Sequence, residues 1–140
     1  MANVDVTING REISVEEGST ILDAAEKAGF HIPTLCHLKG LSPTGACRVC
    51  VVEVDGARSL VPSCAYPVRD GMVVRTHTPR VLEARTTIVQ LLLANHPPEC
   101  LTCVRNGDCE LQSLAESLNI REIPYHGERR RAPVSYTHLR

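Results

Sequence analysis

The chain has 140 residues, 43% hydrophobic and 22% charged, enough for one domain or a small domain with an appendage and too few for a large enzyme. One Phe, three Tyr and no Trp leave any core to Val, Leu, Ile and Ala, and seven cysteines are available to staple it. The net charge of −1 divides into six basic against nine acidic side chains over residues 1–70 and nine against seven beyond, too weak a field for nucleic acid.

"MANVDVTING" has no charged segment followed by an apolar one, and no stretch approaches 18 apolar residues, which predicts a soluble, cytoplasmic chain with no direct membrane insertion. In a reducing compartment an odd number of cysteines favours metal ligation over disulfides. Val4, Val6 and Ile8 alternate with polar residues up to Asn9-Gly10, and Ile13 and Val15 alternate after it. That pattern predicts a two-residue hairpin with Val6 opposite Ile13 and Val4 opposite Val15. "GSTILDAAEKAGF" predicts a short helix capped by Ser19 or Thr20, with Asp23 in its first turn, an Ile21, Leu22, Ala25, Ala28 stripe and a stop at Gly29.

The interval from Ile32 to Arg48 has little periodicity and holds Cys36 and Cys47; structureless stretches of this length inside a compact domain usually carry function. A second hairpin is predicted from Val49–Val54 and Arg58–Val61, turning at Asp55-Gly56 and bringing Glu53 near Arg58. "GMVVRT" reads as one more strand. From Thr78 the period becomes helical, with Pro79 at the first position, Val81, Leu82, Ile88, Val89, Leu92 and Leu93 as the apolar residues, and a stop at His96-Pro97-Pro98. A last helix is predicted over Glu110–Leu118, with Leu111, Leu114, Ala115 and Leu118 on one side. The fold class is therefore α+β: a ferredoxin-like β-grasp domain over 1–78, a small helical domain over 79–120, and an irregular tail over 121–140. The short basic run Arg129 to Arg131 in that tail reads as a solvated segment.

The first four cysteines, Cys36, Cys47, Cys50 and Cys64, read C-x10-C-x2-C-x13-C. The C-x2-C pair brings two sulfurs onto one turn, and four thiolates suit either a [2Fe–2S] cluster or a structural zinc ion. Spacing alone does not separate the two. One tight pair flanked by single cysteines on a β-grasp pattern favours the cluster, because zinc ribbons present two tight pairs. The remaining three, Cys100, Cys103 and Cys109, lack a fourth partner; His96 completes H-x3-C-x2-C-x5-C, since imidazole ligates iron in place of thiolate. A histidine at a helix end also serves merely to meet the last carbonyls. His31, His77, His126 and His138 read as surface or packing residues, and His37 as a side chain that could hydrogen-bond near a cluster sulfur. A zinc-stabilised interaction domain with a composite site of Cys47, Cys50, Cys100 and Cys103 is the competing reading, and it leaves three cysteines unexplained.

"PTLCHLKGLSPTGACRVCVVEVDGARSLVPSCAYPV" and "HPPECLTCVRNGDCELQ" together resemble the N-terminal segment shared by three groups. These are [FeFe]-hydrogenase large subunits, the 75 kDa (G) subunit of NADH:quinone oxidoreductase, and some NAD-linked formate dehydrogenases. The resemblance implies one [2Fe–2S] cluster on Cys36, Cys47, Cys50 and Cys64, and one [4Fe–4S] cluster on His96, Cys100, Cys103 and Cys109. Gly45 and Arg48 match its G-x-C-R-x-C pattern. His37 stands where the complex I signature has an aromatic residue, and Cys100-Leu101-Thr102-Cys103-Val104 where it has C-P-x-C-[DE], so the likeness leans to multisubunit NAD(P)-linked [FeFe]-hydrogenases.

The implied function is electron relay between a flavin- and NAD(P)-binding subunit, with a small [2Fe–2S] subunit, and a downstream catalytic domain. No nucleophile and base pair, phosphate loop or paired-carboxylate pocket is recognisable, so no catalytic site is expected within the chain itself. The further cysteine motifs of such hydrogenases are not in this sequence, and the terminal "VSYTHLR" resembles translated adapter read-through at the ends of gene fragments, with an ordinary terminal strand as the alternative. The expectation is an N-terminal fragment.

Overall fold

The computed structural model describes residues 2–128. The basic run at Arg129 to Arg131, His138 and the terminal "VSYTHLR" lie outside the described residues.

Strands β1 (Asn3–Ile8) and β2 (Arg11–Glu16) form the predicted hairpin, with Val6 opposite Ile13 and Val4 opposite Val15. The turn is made by Asn9 and Gly10, both at positive φ (49° and 82°), the pair of left-handed residues that a type I′ turn requires. Helix α1 (Ile21–Lys27) is capped by Thr20, not Ser19, in a reciprocal capping box with Asp23, and it buries Ile21, Leu22, Ala24 and Ala25.

Strand β3 (Val51–Val54) pairs with the two-residue β4 (Val61–Pro62), and β5 (Met72–Arg75) returns to the centre. The sheet order is β2-β1-β5-β3-β4, with β1 and β5 parallel and the other pairs antiparallel.

The second hairpin departs from expectation. Val52 pairs with Val61 and Val51 with Pro62, so the Asp55-Gly56 turn opens into a longer connection and Arg58 is not in a strand. Glu53 lies 3.5 Å from Arg80 of the following helix, and the Arg58 carbonyl also accepts from Arg80. The Asp-Gly signal located the turn but not its length: only Val51 and Val52 pair with β4, while Glu53 and Val54 pair with β5, a strand outside the hairpin.

Helix α2 (Pro79–Ala94) has Thr78 as N-cap, its hydroxyl accepting from the Val81 N–H, and α3 (Glu110–Ser117) follows a short helical turn at Cys100–Thr102. Two apolar clusters result. One, between the sheet and α1, includes Val6, Ile8, Ile21, Val52 and Val74 together with Cys50 and Cys64. The other is centred on Val49, Val89 and Leu114, with Leu35, Cys47, Leu111 and Leu118 packed on it, and it binds α2 and α3 to the loop that carries the first cysteines. Leu82 and Leu92, placed in the apolar stripe of α2 by periodicity, are 38% and 36% exposed.

Candidate metal centres

The loop over residues 32–48 has no regular element, as its lack of period predicts. It ends in a tight wrap in which Gly45 (φ 60°) and Arg48 (φ 62°) both adopt the left-handed conformation. Such turns aim successive backbone N–H groups inward, which suits anionic sulfur. The N–H of Cys47 points at the Cys36 sulfur, which also receives hydrogen bonds from the Cys47 side chain, the Thr44 hydroxyl (3.8 Å) and the Ala46 N–H. Against a partial burial that works the other way, these donors lower the Cys36 thiol to about 7.

Cys64 follows β4 and is buried with Cys50 in the cluster between the sheet and α1. Its segment is clamped to the start of α1: the Ile21 and Leu22 N–H groups donate to the Tyr66 and Ser63 carbonyls (both 3.0 Å), and Ser63 N–H donates to the Cys50 carbonyl (3.1 Å). Burial pushes the Cys64 thiol up to about 12, helped by its contact with Cys50 and by the charges on Cys50 and Cys36, while the Gly45 N–H pulls the other way. Cys36, Cys47, Cys50 and Cys64 therefore form one interacting set.

Among the described residues two buried side-chain polar atoms lack a hydrogen-bond partner: His37 Nδ1 and Ser63 Oγ, each on the residue beside a cysteine of this set. An unmet buried polar atom costs about 1–3 kcal/mol, and a sulfide-bearing group held by the adjacent cysteines brings acceptors to that neighbourhood. The donor set thus fits a [2Fe–2S] group: four sulfurs, inward N–H groups and unmet polar atoms close by.

The second set lies between α2 and α3. His96, Cys100, Cys103 and Cys109 all line one cavity of about 250 Å³, together with Pro97, Thr102, Arg105, Asn106 and Gln112 among others. Cys100 opens the short helical turn, Cys103 closes it through an N–H bond to the Cys100 carbonyl (3.2 Å), and Cys109 is the N-cap of α3. As N-cap, Cys109 makes no side-chain capping bond, so its sulfur is not committed to the helix. Gln112 fastens the loop by accepting from the Gly107 N–H (3.0 Å) and donating to Asn106 (3.1 Å). Three sulfurs and one imidazole around a single cavity suit a [4Fe–4S] group with one nitrogen ligand. Unlike the first site, this one is open: Cys100 and Cys103 are exposed, and Leu101 and Val104 are 92% and 99% exposed.

The composite zinc site is not assembled, because Cys47 and Cys50 stand with Cys36 and Cys64 while Cys100 and Cys103 stand with His96 and Cys109. Among the described residues no three His, Cys, Asp or Glu side chains close on one ion-sized point. His31 lines a separate cavity with His77, whose Nδ1 also meets the Thr76 hydroxyl.

Three contributors were missed by motif reading: Thr44, Gln112 and Arg85. Thr44 and Gln112 carry no sequence signal. Arg85 does carry one, since it sits four residues from both Val81 and Val89 on the buried face of α2, where a charge is out of place.

Residues 1–79 match the family described as 2Fe-2S iron-sulfur cluster binding domain, and residues 85–124 the NADH-ubiquinone oxidoreductase-G iron-sulfur binding region. The chain is 55% identical over 132 residues to the NADP-reducing hydrogenase subunit HndD of Solidesulfovibrio fructosivorans, covering 91% of this chain and 23% of that protein. It is 44% identical over 116 residues to the mitochondrial NADH-ubiquinone oxidoreductase 78 kDa subunit of Candida albicans, covering 83% and 16%. The chain thus spans less than a quarter of these curated relatives. A crystal structure of NAD+-reducing [NiFe]-hydrogenase in the H2-reduced state superposes with a TM-score of 0.80 at 33% identity, over 92% of this chain and 56% of that one. The chain belongs to the 2Fe-2S iron–sulfur cluster binding domain family and, through its second matched region, also carries a [4Fe–4S] site.

Proposed function

We propose that Cys36, Cys47, Cys50 and Cys64 hold the [2Fe–2S] cluster and His96, Cys100, Cys103 and Cys109 the [4Fe–4S] cluster, in units spanning 1–78 and 79–120. The observation that carries this is the partition itself. All seven cysteines and His96 fall into two sites, and one apolar cluster, with Cys47 packed on it and Leu111 two residues beyond Cys109, joins them. When bound, such clusters supply one-electron chemistry without bond-making at the protein. The chain's own part is to fix the separation of the two sites through α2 and α3, to bury Cys50 and Cys64 away from water, and to direct N–H groups at Cys36 and Cys64.

The 55% identity to a hydrogenase subunit, against 44% to a mitochondrial NADH-ubiquinone oxidoreductase subunit, favours an NAD(P)-linked hydrogenase large subunit as the parent. In that setting the partners are a flavin- and NAD(P)-binding subunit and a small [2Fe–2S] subunit, and the compartment is the cytoplasm. Among the described residues no helix is long and apolar enough to cross a membrane. Sequencing the flanking gene tests the parent: H-cluster cysteine motifs support it, and a molybdenum-cofactor domain or a complex I continuation overturns it.

Anaerobic purification tests the cluster content: a brown chain with about six irons and matching sulfide is expected, and a colourless zinc protein overturns the reading. Cys64→Ser is expected to abolish the [2Fe–2S] signal in electron paramagnetic resonance and spare the [4Fe–4S] signal. His96→Ala should do the reverse, and two unchanged signals in that variant would remove His96 from the ligand set.

A further inference from the structure

Helix α2 sends one charge into the interior. Arg85 is 2% exposed, and its guanidinium is held by two main-chain carbonyls: Nε donates to Val49 (2.9 Å) and Nη2 to Val51 (3.0 Å). Those carbonyls bracket Cys50, itself 1% exposed. Among the described residues no carboxylate lies within ion-pair distance of Arg85; the ion pairs present join Arg75 to Asp55 and Arg80 to Glu53.

A buried cation with only neutral acceptors is costly, and such groups are normally paired. The negative charge within reach of Arg85 is sulfur. Burial lowers the Arg85 pKa from its ordinary value, and the Cys50 thiolate acts in the opposite direction.

We propose that Arg85 is the buried counter-charge of the [2Fe–2S] site, a positioning residue on α2 that favours the reduced state of that site. The proposal rests on the assignment of Cys36, Cys47, Cys50 and Cys64 as ligands. One electron arriving there, from dithionite in a titration or from the second site within the chain, adds one negative unit and no proton. A fixed positive charge fastened to the Val49 and Val51 carbonyls on either side of Cys50 stabilises that added unit directly, because it is shielded from water and cannot move away. The same fork ties the helix leading to His96 to the strand following Cys50, so the residue that tunes the first site also holds the second at a set position relative to it.

At an effective interior dielectric of about 20, a unit charge acting over roughly 10 Å shifts a one-electron equilibrium on the order of tenfold. For one electron, tenfold is about 59 mV.

The test is a redox titration of the reconstituted 140-residue chain, followed by electron paramagnetic resonance. Arg85→Gln removes the charge and keeps one donor. A semisynthetic chain with citrulline at position 85 removes the charge and keeps both bonds to Val49 and Val51, so it decides the matter if the Gln variant does not fold. In the citrulline chain the [2Fe–2S] midpoint is expected to fall by about that tenfold equivalent, with the iron content intact and the [4Fe–4S] midpoint moving less. Arg85→Lys, which keeps the charge, should restore the wild-type midpoint to within threefold in the equilibrium. A citrulline chain with a full [2Fe–2S] signal at the wild-type midpoint overturns the proposal and leaves Arg85 a structural strut. Failure of the ligand assignment is distinguishable, because Cys64→Ser would then keep the [2Fe–2S] signal that the assignment says it loses.

Discussion

Gly45 is the residue on which the first loop turns. Its φ of 60° costs an L side chain about 1–2 kcal/mol, and an added Cβ would rest 3.5 Å from Ala65 Cβ and 3.6 Å from Pro62 Cγ, in ordinary contact. The penalty is therefore conformational and not steric. Gly45→Ala is expected to destabilise the chain by about 1–2 kcal/mol, measured by denaturant titration, and to weaken retention of the [2Fe–2S] cluster because the Gly45 N–H is turned away from Cys64. Arg48 carries the same strain with a side chain in place, so Arg48→Gly should raise stability by up to about 1 kcal/mol.

The thiols of the first set divide sharply. With Cys36 lowered to about 7 by the N–H groups around it and Cys64 raised to about 12 by burial, thiolate forms at Cys36 first as pH rises. In the metal-free chain, iodoacetamide labelling of Cys36 is expected to climb through about pH 7 while Cys64 stays unlabelled at about pH 9. Mass spectrometry of the peptides reads this directly, and equal labelling of the two near neutrality would contradict the geometry.

At the level of elements, the two helices are joined through Leu114 and Val89, which meet Val49 beside the first site. Leu114→Ala is expected to cost roughly 2–3 kcal/mol and to loosen α3, so that the [4Fe–4S] signal is lost at lower denaturant concentration than the [2Fe–2S] signal. Simultaneous loss of both would mean that the two regions unfold as one.

The elements themselves were readable to different depths. The β1–β2 hairpin was legible down to its register because Asn9-Gly10 fixes both turn type and pairing over residues 3–16. The capping box at Thr20 and the Thr78-Pro79 start of α2 are likewise local signals. The β3–β4 connection runs longer than its Asp55-Gly56 signal predicts, and the partner of Glu53 and Val54 is β5, which no local signal names. The ligand candidates stood out because cysteine spacing is itself the signal. Thr44 and Gln112 did not, since a hydroxyl or amide that steadies a loop looks in sequence like any other polar residue.

In the whole molecule the two proposed ligand sets differ in charge, four cysteines against three cysteines and one histidine. Exchanging His96 for cysteine adds a thiolate to the second site, so His96→Cys is expected to lower the [4Fe–4S] midpoint relative to the wild-type chain, and an unchanged midpoint would count against imidazole ligation. On the proposed assignment, Arg85 and His96 would each bear on the potential of a different site.

The parallel pairing of β1 with β5 has a consequence for how the protein is made. β1 ends at Ile8 and β5 begins at Met72, and all four cysteines of the first set lie between them. The middle of the sheet cannot zip shut during synthesis until the ribosome has released every one of those sulfurs, and closing so long a loop is entropically slow. Until residues 72–75 arrive, β1 has only β2 beside it and β3 only β4, so two separate hairpins wait for the strand that joins them.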